Sequence, residues 1–321
     1  MILGYVFSII VSILFAAYAV PRKFSKQNVI LYTMWMGIAY FIATIILVSI
    51  LWGFGFEPTE NLLNRWHLLT VLRGIVWVVG MMAYNVAIDK IGLTRFNQWK
   101  NIQGPVGSLL ILFFISKDVA ATKVLWLILG MTVMFLSALL FQVNTDAEKQ
   151  ISERSLIKTN TRLGIAFALF SGICFGVSAL LNSVVSNVNI VGEKFTFAQL
   201  IYHSATLTVF PMIIYLSVGN GINESSSAVK RIKDIFKVNI YTWMPIIAGG
   251  MYLAATLLTI YSYRLIPNNA IPWSITQLNV FWTVLIGTLI FKEINFKQYW
   301  PRLTAGIFMA AGACIFLFYA M

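Results

Sequence analysis

The chain has 321 residues, 59% of them hydrophobic and only 11% charged, with a mean hydropathy of +0.82 and a formal net charge of +12. A water-soluble domain of this length would expose far more apolar surface than such domains do, so the soluble globular classes are excluded. In a soluble protein the charge would point to nucleic acid, but here its distribution along the chain gives it another meaning, and no nucleic-acid partner is expected.

A helix needs about 20 apolar residues to cross a hydrocarbon core of about 30 Å. Ten stretches qualify, at 2–20, 30–52, 68–88, 93–115, 123–142, 162–183, 195–217, 240–263, 269–290 and 302–320. Their apolar runs are continuous rather than alternating, which predicts helices and not a barrel. Span 1 lacks a basic leader and is followed by Pro21-Arg22-Lys23 instead of a small-residue cleavage site, so it reads as a retained helix. The polar stretch Asn144–Thr161 divides the chain into residues 1–143, a linker at 144–161, and residues 162–321. In the stretch 219–239, Val229, Ile232, Ile235 and Phe236 alternate with Lys230, Arg231, Lys233 and Lys237. That pattern fits either a short helix lying on anionic headgroups or a solvated basic loop. Cys174 and Cys314 both fall inside spans, so no disulfide framework or metal-binding cysteine pair is expected, and no cofactor.

The two halves share features. Gly4/Gly164, Phe7/Phe167, Phe15/Phe175 and Ala19/Ala179 coincide at one offset between spans 1 and 6. Ile115-Ser116-Lys117-Asp118 after span 4 resembles Ile290-Phe291-Lys292-Glu293 after span 9, and a glycine follows each corner, Gly130 and Gly306. A repeat of five spans must re-enter from the opposite side, so the expected fold is all-α, with ten transmembrane helices as two inverted five-helix repeats. The small residues Gly74, Gly80, Gly104, Gly107, Gly249, Gly250, Gly287 and Gly312 would let such helices approach closely. With alternating crossings, sixteen of the 23 Lys and Arg residues fall on one side and five on the other. The positive-inside rule places the basic loops in the cytoplasm and both termini outside, in a cell membrane.

Polar side chains inside spans are costly and mark a bundle interior or a wet cavity. The densest group opens span 4, where Asn97, Gln98, Lys100, Asn101 and Gln103 lead into Gly104-Pro105. At helical spacing Asn97, Lys100, Gly104 and Gly107 share a face, and Pro105 frees a carbonyl near Asn101. The alternative for Lys100 is snorkelling to the interface, and Arg73 reads as a snorkelling residue near the outer end of span 3. Span 7 aligns Gln199, His203 and Thr206 on one face, and no Asp or Glu lies near the middle of any span. His203 is therefore the candidate for proton coupling. Span 3 carries Trp77, Met81, Tyr84, Asn85 and Ile88, and span 8 carries Tyr252, Thr256, Thr259 and Tyr263. Span 9 adds Trp273, Thr276, Gln277, Asn279 and Thr283, spans 1 and 6 add Ser12, Ser178 and Asn182, and span 2 adds Trp35. Aromatic faces interleaved with amides and hydroxyls suit a small polyol, the rings covering C–H groups while the amides pair with hydroxyls. Trp52, Trp66, Trp243 and Trp300 read as interfacial anchors.

Ala17-Tyr18-Ala19-Val20-Pro21-Arg22-Lys23, Gly74-Ile75-Val76-Trp77-Val78-Val79-Gly80, Ala87-Ile88-Asp89-Lys90-Ile91-Gly92 and the stretch Gly104–Leu110 resemble the drug/metabolite transporter superfamily. Within it they are closest in character to the glucose/ribose porter and L-rhamnose–proton symporter branch. The resemblance implies a five-plus-five inverted fold, a central cavity and uptake of sugars or related metabolites. Lys100 departs from the sugar-porter pattern and favours an anionic substrate. The expected function is a secondary active transporter moving a small polar metabolite, foremost a sugar, with protons. The alternative is an exporter of amino acids or other carboxylates, with Lys100 pairing the carboxylate. Two histidines and no clustered carboxylates argue against a membrane-embedded enzyme, and no GxxxxGK[ST] loop is present for driving transport with ATP. Expected partners are the solute, protons and the lipid bilayer.

Overall fold

The computed structural model describes residues 2–54, 60–115, 121–140, 161–219, 228–292 and 296–320. The linker at 144–160 and the two acidic corners at 116–118 and 293 lie outside the described residues. What is described is all-helical, without strands. In chain order the helices are α1 (Ile2–Ala17), α2 (Val20–Phe24), α3 (Val29–Gly53), α4 (His67–Ile91), α5 (Leu93–Lys100), α6 (Gln103–Phe114) and α7 (Ala121–Leu140). The second half contains α8 (Thr161–Ser186), α9 (Val188–Val191), α10 (Phe197–Val218), α11 (Ala228–Ile235), α12 (Trp243–Leu265), α13 (Ala270–Thr276), α14 (Asn279–Leu289) and α15 (Phe296–Tyr319).

Among the described residues, eight helical segments are long and apolar enough to cross a membrane. The two remaining expected spans, 93–115 and 269–290, each form a pair of short helices, α5/α6 and α13/α14. Each break has a local cause. Pro105 has no N–H for the Asn101 carbonyl, which instead accepts from Gly104 N–H at 3.0 Å. In the other segment Thr276 Oγ1 and Gln277 Nε2 both donate to the Trp273 carbonyl, at 2.6 and 2.9 Å. The Gln277 N–H turns instead to Ser274, closing a tighter turn.

The exposure pattern is that of a protein bathed in hydrocarbon. Ile42, Ile46, Phe113, Leu289 and Phe308 are exposed, whereas Asn85, Gln199, His203 and Asn279 are wholly buried. Trp52, Trp243 and Trp300 are exposed near helix ends, where such rings anchor at headgroup depth. Long helices pack in antiparallel pairs, as the register of their contacts shows. In α1 and α12, Ser8 Oγ meets Ser262 Oγ at 2.6 Å and Phe15 stacks on Tyr252. In α4 and α8, Gly80 backs onto Cys174 and Phe175 while Gly164 backs onto Ile91. Residue Gly37 of α3 presses on the Leu207 backbone of α10, with Tyr40 beside His203 further along. Trp126 of α7 stacks on Phe316 of α15, with Gly130 against Ala313 and Leu317.

The turn between α4 and α5 is a single residue, Gly92, at φ +79°, a conformation that a side chain would strain. Its tightness folds α5 back along α4, which brings the Lys100 ammonium to 5.8 Å from the Tyr84 ring centroid. Of the basic stretch at 219–239, residues 228–235 form α11, with Val229, Ile232 and Phe236 exposed.

Candidate functional site

A cavity of about 40 Å³ opens where the two broken segments meet α1, α4, α8 and α12. That is room for about three waters. Its walls combine three chemistries. Phe15, Tyr18, Trp77, Phe175, Tyr252 and Trp273 give aromatic surface, with Trp77 and Tyr252 ring centroids 4.5 Å apart. Gln103, Ser178, Asn182, Thr256 and Thr259 give amides and hydroxyls. Arg73 and Lys100 give two cations, 5% and 2% exposed.

The broken helices hold the site's rim in register. Gln103 Nε2 donates to Gln277 Oε1 at 2.9 Å, and Trp273 Nε1 donates to the Gln103 carbonyl at 3.1 Å. Asn97 Nδ2 reaches Asn279 at 3.4 Å on one side of this crossing, and Ser108 Oγ meets Ser274 Oγ at 2.8 Å on the other. The contacts run antiparallel, α5 with α14 and α6 with α13. Breaking a transmembrane helix exposes backbone polar groups, and here the partner segment's amides and indole satisfy them.

Among the described residues, two buried nitrogens of the cavity-lining Arg73, Nε and Nη1, have no hydrogen-bond partner, while Asn182 lies against Tyr263, and Thr256 against Tyr40 and Tyr252. Unpaired buried polar groups are expensive, and a cluster of polar side chains lining one cavity marks a place where a polar guest would be stabilised.

Of the residues singled out from sequence, Trp77, Lys100, Gln103, Ser178, Asn182, Tyr252, Thr256, Thr259 and Trp273 line this cavity. Tyr84 lies under Lys100 and stacks on Tyr18. His203 sits behind the wall, its Nε2 hydrogen-bonded to the Tyr252 hydroxyl at 3.1 Å. Asn101 and Gln277 border a separate, smaller hollow with Pro105 and Met131. Away from the cavity, Asn85 bonds Thr33, Gln199 bonds Ser186, and Asn97 and Asn279 bond each other. Of the face expected for Asn97, Lys100, Gly104 and Gly107, Asn97 turns to Asn279 of the other broken segment and Lys100 to the Tyr84 ring. Gly104 and Gly107 instead receive Gln277 and Trp273.

Arg73 is a correction. Expected to snorkel outward, it is buried in the cavity wall beside Tyr40, Tyr252, Tyr263 and His203. Its position in the sequence gives depth but not azimuth; the signal available was its i, i+4 relation to Trp77, which shares its helix face. The aromatic residues Phe15, Tyr18 and Phe175 were also missed as wall residues, because they look like ordinary lipid-facing or core positions.

No protein-family model and no curated protein matches the chain. One solved structure, described only as a crystal structure of a protein, is similar at a TM-score of 0.62, with 10% identity, over 98% of this chain and 94% of its own. At that identity the likeness speaks for the fold alone. Fold and exposure define an all-helical, multi-pass integral membrane protein.

Proposed function

We propose that the chain is a secondary carrier that moves a small polar metabolite by alternating access between two inverted five-helix repeats of the drug/metabolite transporter type. The observation that carries this reading is the crossing of two broken helices at a polar, aromatic-walled cavity. Discontinuous spans at matching places in two halves are the usual setting of a transporter's binding site. The contact pattern supports the inverted repeat: exchanging spans 1–5 for 6–10 turns the α4–α8 pair into the α12–α1 pair and the α4–α10 contact into the α12–α3 contact. It also exchanges the α6–α13 and α5–α14 crossings.

The cavity is too small for a monosaccharide, so this conformation is a constricted one and loading requires the repeats to rock apart. Polar contacts close the bundle at both ends. Arg22 is ion-paired with Asp89 at one end, and Glu60 accepts from the Thr196 and Ala198 N–H groups at the other. On this reading the basic end is cytoplasmic, and a proton travelling with the solute would reach the cavity from His203 through Tyr252.

The test is counterflow in vesicles reconstituted with the full chain, across labelled sugars, amino acids and organic acids, with and without a protonophore. Saturable movement of one solute class, lost on Trp77→Ala or Gln103→Ala, is expected. Protonophore-sensitive uptake that His203→Gln abolishes would support coupling. No movement of any solute, in protein shown to be folded, would remove the carrier reading.

A further inference from the structure

Three arginines lie wholly or largely within the bundle, and two of them show how such a charge is normally held. Arg22, 5% exposed, pairs with Asp89, donates to the Gln27 carbonyl at 2.9 Å and stacks on Tyr32. Arg264 donates to Thr196 Oγ1 at 2.6 Å and to the Phe195 carbonyl at 2.8 Å. Arg73, equally buried at 5%, has among the described residues no carboxylate within ion-pair distance and no hydrogen-bond partner for two of its three nitrogens, its polar neighbour being the Tyr252 hydroxyl. Lys100, 2% exposed in the same wall, has a ring face and, among the described residues, no carboxylate. Eleven Asp and Glu residues occur in the whole chain, and none lies near the middle of a span. Among the described residues this pair therefore has no internal counter-charge. Taking a cation out of water without one is strongly unfavourable.

We propose that the counter-charge is the cargo: the solute is a small organic oxyanion whose negative group is held by Arg73, with Lys100 as the second cation. This rests on the carrier reading and names the class of its substrate. A guanidinium offers planar edges matching two oxygens of a carboxylate or phosphate; the partnerless nitrogens Nε and Nη1 belong to its two different edges, and Nη2 is shared by both. The rest of the wall sets what the anion carries. Trp77 and Tyr252 provide flat apolar surface, while Asn182 and Thr256 add an amide and a hydroxyl suited to hydroxyl groups.

The two cations sit at different depths. Lys100 lies over Tyr84, eleven residues beyond Arg73 on α4, which is about 16 Å along the helix axis at their Cα atoms. A solute with an anionic group at each end can engage both cations. One with a single group leaves Lys100 unpaired, so the site favours the doubly charged solute.

The experiment is thermal denaturation of the detergent-purified full chain with sodium salts of malate, gluconate, glycerol 3-phosphate and inorganic phosphate. Glucose, sorbitol and sodium chloride at matched ionic strength serve as controls. Saturable stabilisation of several degrees by an organic oxyanion is expected, and the carboxylate and phosphate arms tell which headgroup is taken. Arg73→Gln should abolish the shift, and Arg73→Lys should weaken half-saturation at least tenfold. Lys100→Met should weaken malate more than gluconate. If Arg73→Gln does not fold, the Arg73→Lys and Lys100→Met arms decide. Stabilisation by glucose or sorbitol alone, or equal shifts with chloride, overturns the proposal. Counterflow in vesicles separates this from the carrier reading. Neutral-solute transport indifferent to every oxyanion sinks the proposal and keeps the carrier. Oxyanion stabilisation without movement of any solute keeps the site and sinks the carrier.

Discussion

Gly107 shows how tightly single residues define the cavity. A Cβ added there would lie 2.2 Å from Trp273 Nε1, the indole nitrogen that bonds the Gln103 carbonyl. Gly107→Ala must displace the ring, losing that hydrogen bond and straining the α6–α13 contact, at a cost of about 1–3 kcal/mol. Gly250 is the control: a Cβ there meets nothing within 4 Å, so Gly250→Ala should be neutral or stabilise by about 0.5–1 kcal/mol through helix propensity. Unfolding of both variants in mixed micelles checks the pair, and equal effects would mean the indole is not wedged against α6. Both glycines belong to the small-residue set visible in the sequence, which does not separate them, since that depends on what packs opposite. The same holds for the two cations. Lys100 stands out because it sits among amides, but Arg73 sits among apolar residues, and a hydropathy pattern records depth without the direction a side chain takes.

At the scale of elements, the ten apolar stretches and their helical character were legible because lipid leaves the backbone no other way to satisfy itself. The break in span 4 was partly legible, through Pro105. The break in span 9 was not, since Pro272 lies a turn before it and the cause is competition of the Thr276 and Gln277 side chains for one carbonyl. This difference makes a prediction. Pro105→Ala restores an N–H aimed at the Asn101 carbonyl, favouring a continuous helix through Asn101-Ile102 and swinging Lys100 out of its place over Tyr84. The variant should melt at the same or a higher temperature than the parent yet transport about tenfold more slowly, as a shift of ~1.4 kcal/mol toward the unbroken form would give. Unchanged transport would show that the break is packing alone and not part of the working site.

Across the whole molecule, sequence could pair spans 1 and 6 by a few shared residues, but it could not give the antiparallel register that sets α4 on α8 and α1 on α12. Register arises from side chains meeting across helices, such as Ser8 with Ser262, which no pattern within one helix records. The proposed inversion of the halves does make a global claim about sidedness. Lys26 and Lys90 flank the end of the bundle held by Arg22 and Asp89, whereas Arg65 and Lys194 flank the end held by Glu60 and Thr196. If the excess of basic residues orients the chain, the first end faces the cytoplasm. In a background with Cys174 and Cys314 replaced by Ser, a cysteine at Lys26 or Lys90 should react with a membrane-impermeant thiol reagent only from the cytoplasmic side. One at Arg65 or Lys194 should react only from outside. Both pairs labelling from the same side would contradict alternating crossings, and with them the inverted arrangement from which the carrier reading follows.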